Sequence, residues 1–76
     1  MNNYHFSAKF AGLNFTYHGE FKTAHTATPE IIKIAKAKLL SKMKVWNISE
    51  YQSKSIYFKI YTYVGEEERE VFLYEQ

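Results

Sequence analysis

The stretch Lys54-Ser-Ile-Tyr-Phe-Lys-Ile-Tyr-Thr-Tyr-Val64 decides how this chain folds, because its strand signal is strong on both faces. A strand turns successive side chains to opposite sides. Ile56, Phe58, Ile60 and Val64 therefore point one way, and Tyr57, Tyr61 and Tyr63 point the other with Lys59 among them. The first set can feed a core; the second makes an aromatic face. The stretch is expected to be the central strand of a sheet.

Toward the C-terminus, Gly65-Glu66-Glu67-Glu68 reads as a loop into a last strand, Arg69 to Tyr74. Pairing Val64 with Arg69 would set Val71 and Leu73 on the face of Ile60, and Phe72 and Tyr74 beside the outer tyrosines. Toward the N-terminus, Gln52 to Lys54 is a polar turn, and Val45 to Tyr51 reads as a short strand with Trp46 and Ile48 on one side.

Ahead of it lies a helix start with a mechanism. Thr28 offers a capping hydroxyl, Pro29 sits where no donor is missed, and Glu30 faces the positive end of the dipole. At 100° per residue Ile31, Ile32, Ala35, Leu39 and Met43 share one stripe as far as about Lys44. Lys33, Ala37, Ser41 and Lys44 lie broadly opposite, and Leu40 falls on the lysine side. A single stripe suits a helix lying on a sheet.

The chain opens with an alternating segment, Tyr4, Phe6, Ala8 and Phe10 against His5, Ser7 and Lys9. Leu13, Phe15, Tyr17 and Phe21 continue the apolar set. Either a two-residue loop, with Phe10 facing Leu13, or a four-residue loop, with Phe10 facing Phe15, keeps it on one face. The longer loop is favoured, since Ala11-Gly12 is a poor type I′ pair. Gly19 falls where a core side chain was due, which predicts a bulge or bend in a strand ending near Ala24. The order β-β-α-β-β-β gives an α+β fold, an antiparallel sheet of four to five strands with one helix on one face. No repeat or linker divides residues 1–76, which read as a single domain.

Seventy-six residues bury only about 60% of the surface exposed by the unfolded chain, so the core has little to spare. With no cysteine there are no disulfides or thiolate metal sites. No apolar leader and no long apolar run is present, so the chain is expected to be cytoplasmic and not to span a membrane. The net charge of +2 is too small to imply a nucleic-acid partner, but it is unevenly spread: residues 1–54 carry eight Lys against three Glu, and residues 55–76 carry Lys59 and Arg69 against five Glu. Nearly all the basic residues are lysines, which disfavours the bidentate readout that uses the arginine fork.

Catalysis is not expected. The serines lie near no acid–histidine pattern, there is no Asp, the glycines stand alone, and Glu66 to Glu68 with Glu70 read as a solvated turn and strand edge. His5 and His18 fall on the outward side of the first hairpin. They face each other in the two-residue-loop register, while the longer loop sets Glu20 opposite His5; in neither register is there a third ligand for zinc. No metal or cofactor is therefore expected.

Two surfaces remain. Five lysines against Glu30 give the helix a positive field, most simply a solvated face and otherwise a contact with nucleic acid or an acidic protein. The outer aromatic face of Tyr57, Lys59, Tyr61, Tyr63, Phe72 and Tyr74 is harder to explain by packing, and with Lys33, Lys36 and Lys44 at the rim it is the expected partner-binding surface. Such a face suits a protein partner, a second copy, or stacked bases. An RNA-recognition motif is excluded, since it needs two helices and a glycine in its aromatic strand.

The plan, a hairpin over Tyr4 to Ala24, one helix opened by Thr28-Pro29 and a sheet over Val45 to Tyr74, resembles small phage-encoded inhibitors of the anti-CRISPR type. The resemblance is one of architecture across the whole chain, without a shared motif. It implies a non-enzymatic protein that binds an effector complex and blocks its nucleic-acid or nuclease surface. The chain lacks the strongly acidic surface of a DNA mimic. The alternative expectation is a nucleic-acid-binding accessory protein using the tyrosines for stacking and the helix lysines for backbone contact.

Overall fold

The structure, a computed structural model, describes residues 1–12, 14–45 and 55–76, with the backbone alone for 43–45. The elements are β1 (Asn2–Phe10), β2 (Tyr17–Thr23), α1 (Thr28–Val45), β3 (Ser55–Val64) and β4 (Glu67–Glu75). They build an antiparallel sheet in the order β2-β1-β3-β4, with α1 on one face, so β3 is central as its two-sided pattern requires. Val45 closes the helix instead of opening a strand; the rest of the strand expected there, 46–51, lies outside the described residues.

The core lies between sheet and helix. Tyr4, Phe6, Ala8 and Phe10 from β1, Tyr17 and Phe21 from β2, and Phe58 and Ile60 from β3 are buried against Ile31, Ala35 and Leu39 of α1. Ile32 and Ile34 pack at its margin, and Ile56 and Val64, near the two ends of β3, are exposed. The first helical carbonyl is that of Ala27, which accepts from the Ile31 amide at 3.2 Å. Thr28 thus stands in the first turn, one place inside the cap position expected for it.

β1 and β2 pair in the longer-loop register, Ala8 with Tyr17 and His5 with Glu20, so the two histidines do not face each other. The bulge expected at Gly19 is not there: pairing runs unbroken from Asn2–Thr23 to Ala8–Tyr17, with Gly19 opposite Phe6. Gly19 instead makes room for the Phe6 ring. A Cβ built on Gly19 would sit 2.3 Å from Cζ of that ring, and Phe6 is only 1% exposed, held among Phe21 and Phe58. Gly19→Ala is therefore expected to destabilise the fold by about 1–3 kcal/mol, as overpacking does. In a Phe6→Leu background the same alanine should cost at least about 1 kcal/mol less. Denaturant unfolding of the four proteins checks this, and purely additive costs would refute the contact.

The β3–β4 hairpin corrects the expected register, and the correction changes faces. Its loop is the two-residue Gly65-Glu66, with Gly65 at φ 65, where glycine carries no steric cost, so Val64 pairs with Glu67 and not Arg69. That two-residue shift alone would keep every side chain on its expected side. A bulge then follows: Tyr61 pairs with Glu70 but Ile60 with Phe72, leaving Val71 as the extra residue. One extra residue inverts the parity beyond it. Phe72 and Tyr74 join Ile60 and Phe58 on the helix side, and Leu73, opposite Lys59, turns to the outer side.

Candidate functional site

Among the described residues no element covers the sheet face opposite α1, and its centre is aromatic. His5 on β1 is paired with Tyr61 on β3, and their rings stack at 5.4 Å. Tyr63 meets the edges of both, 5.5 Å from His5 and 5.9 Å from Tyr61. Alternation explains the placement: each of the three has the parity opposite to the buried Tyr4, Phe6, Phe58 and Ile60 of its own strand. Tyr61 is half-buried by this packing, while Tyr63 is 50% exposed.

Charged groups frame the cluster. Lys59 holds Nζ 5.4 Å from the Tyr61 ring centroid and donates a hydrogen bond to Glu68 Oε2 at 2.8 Å. That hydrogen bond holds the Lys59 ammonium above the ordinary lysine range. A raised lysine contributes stability that is fully present at neutral pH and is lost as pH climbs through the raised value. Lys59→Met is therefore expected to change unfolding stability by the same small amount across the neutral range, the difference fading only in strongly alkaline solution. Chemical denaturation at several pH values would show it; a difference that grows toward high pH would contradict it.

On the other flank, His5 Nδ1 lies 3.7 Å from Glu20 Oε2, and Ser7 Oγ lies 3.2 Å from His18 Nδ1. The helix reaches this edge, since Lys42 Nζ donates to the backbone carbonyl of His18. Lys38 and Lys42 line, with His5, His18, Glu20 and Tyr61, an open depression of about 480 Å³. Among the described residues, no three His, Asp or Glu converge as metal ligands would.

The expected site residues divide between the two sides. Tyr57, Lys59, Tyr61 and Tyr63 are on the helix-free face. Phe72 and Tyr74 are not: the Phe72 ring packs 6.2 Å from that of Phe58, and both residues line a cavity of about 400 Å³ with Lys36, Leu39, Ser55 and Phe58. The bulge at Val71, which has no signature in the residues around it, is the cause. Lys33 and Lys36 are exposed on α1, and Lys44 lies in its last turn. Sequence reasoning missed His5, Leu73, Lys38 and Lys42 as parts of the outer surface. The outward parity of His5 was legible, but that β1 would lie beside β3 was not.

No family model, curated protein or solved structure matches this chain. Among the described residues no helix is long and apolar enough to cross a membrane.

Proposed function

We propose that this chain is a non-enzymatic protein-binding module of the cytoplasm, which occludes a surface of its target with the helix-free face of its sheet. The observation that carries this reading is the His5–Tyr61–Tyr63 cluster, three interlocked rings at the centre of a face that no described element covers. Large rings already held by one another lose little freedom on binding, and tyrosines of this kind commonly dominate protein contacts. An inhibitor of a bacterial defence complex is the concrete form, supported by the architectural resemblance to phage-encoded inhibitors.

The geometry supports a protein target over nucleic acid. Base stacking needs an open ring face. Tyr61 has His5 stacked upon it and the Lys59 ammonium over its ring. Lys36 lines the cavity on the helix side of the sheet, and among the described residues the helix reaches the tyrosine face at its edge, through Lys38 and Lys42. Steering charge for the aromatic face would come from Lys38 and Lys42 at its edge.

The test is affinity capture from a bacterial lysate, with and without nuclease, using the intact protein and a Tyr61→Ala/Tyr63→Ala variant. A defined protein complex retained after nuclease and lost with the variant supports the proposal. Recovery of nucleic acid alone, removed by nuclease, would replace it with a nucleic-acid-binding role.

A further inference from the structure

The charges around the aromatic face are arranged as a self-complementary pattern. At the β2 edge stand Lys22, Lys38 and Lys42 against Glu20. At the β4 edge the outward residues Glu68, Glu70 and Glu75 are acidic. The face therefore runs from basic through aromatic to acidic across the strands.

We infer that this face also binds a second copy of the chain, sheet to sheet, about a two-fold axis parallel to the strands. The inference rests on the same reading of the face as an interface, but not on the nature of any target. Only two in-plane axes bring the faces of an aligned pair together. An axis across the strands sets β2 over β2 and β4 over β4, like charge on like. An axis along the strands sets β2 over β4 of the second copy, and does so twice.

The registers make the match specific. Lys22 pairs with Asn3, the adjacent Tyr4 pairs with Thr62, and Tyr63 pairs with Glu68, so Lys22 and Glu68 stand at opposite ends of one cross-sheet row. Rotation about the strand direction keeps rows level. Lys22 of each copy then meets Glu68 of the other, with the Tyr63 rings in the same row between them. Lys59 is hydrogen-bonded to Oε2 of Glu68, and Oε1 is the oxygen offered to the second copy. Glu20 meets Glu70 of the second copy in the next row, and Lys38, lining the same depression as Glu20, offsets that acid.

A face four strands wide, about 19 Å across, is at the small end of what sustains a stable pair, usually ~800 Å² per partner. The dimer is accordingly concentration- and salt-dependent. It covers Tyr61 and Tyr63, so it competes with any target on that face.

Sedimentation of the purified protein alone tests this. The expected results are a monomer–dimer equilibrium weakened by salt, loss of dimer in Lys22→Glu and in Glu68→Lys, and its return when these two variants are mixed in equal amounts. In the mixed pair both contacts are again between opposite charges. If circular dichroism shows either variant unfolded, Lys22→Gln and Glu68→Gln replace them, each expected to weaken the dimer. A wild-type protein monomeric at every concentration overturns the inference, as do variants that stay dimeric or charge-reversal variants that fail to pair on mixing. None of these outcomes bears on capture of a target from lysate.

Discussion

Phe6→Ala is expected to remove about 3–5 kcal/mol of stability, the usual cost of emptying a fully enclosed aromatic site. Domains of this kind hold about 0.05–0.15 kcal/mol per residue, so the loss is a large share of the whole. The melting temperature should fall by roughly 12–40 °C. Phe6 lies at the centre of the fold: opposite Gly19 on one side and Ile60 on the other, its ring packed against Phe21 and Phe58. Truncating it opens a void between three strands at once, and Gly19 offers no side chain to collapse into it. Calorimetry on wild type and variant measures the effect. A shift of only a few degrees would mean that β1 and β2 do not pack on this ring.

How much of this was legible in the residues can be judged element by element. Alternation identified β1, β2 and β3 with the correct inward side, and the helical stripe through Ile31, Ala35 and Leu39 identified the face that α1 buries. These signals survive because each is written locally, in the spacing of apolar residues. What was not legible depends on a partner strand. Gly19 alone suggests a bend; beside Phe6 it is a receptacle for a ring. Likewise, the outward residues of β4 follow from a tight turn at Gly65 and a bulge at Val71. Only the turn has a chemical signature, the glycine. The aromatic face was therefore half legible: its β3 members are where alternation sets them, while Phe72 and Tyr74 are exchanged for His5 and Leu73.

The second large effect concerns binding. Tyr61→Ala and Tyr63→Ala are each expected to weaken target binding by about 30-fold or more, the loss typical of a central aromatic contact of about 2 kcal/mol. Their cost to the fold should be smaller, about 0.5–1.5 kcal/mol for each aromatic pair broken. The separation of the two effects is the informative part. Leu40→Ala, at a residue 58% exposed on the helix, removes exposed apolar surface from the other side and should leave binding unchanged. Titration of the captured target against the three variants, with their unfolding curves alongside, compares them. Equal losses for Leu40→Ala and Tyr63→Ala would show that the face has no special part in binding.

Tyr63 and Tyr74 provide the most direct test, because they are almost equally exposed, 50% and 43%, on opposite sides of the sheet. Both should react readily with a tyrosine-modifying reagent in the free protein at concentrations low enough to keep it monomeric. With the target bound, Tyr63 is expected to be protected along with Tyr61, while Tyr74 reacts as before. Protection of Tyr74 with Tyr63 left reactive would place the contact on the helix side and contradict the proposal.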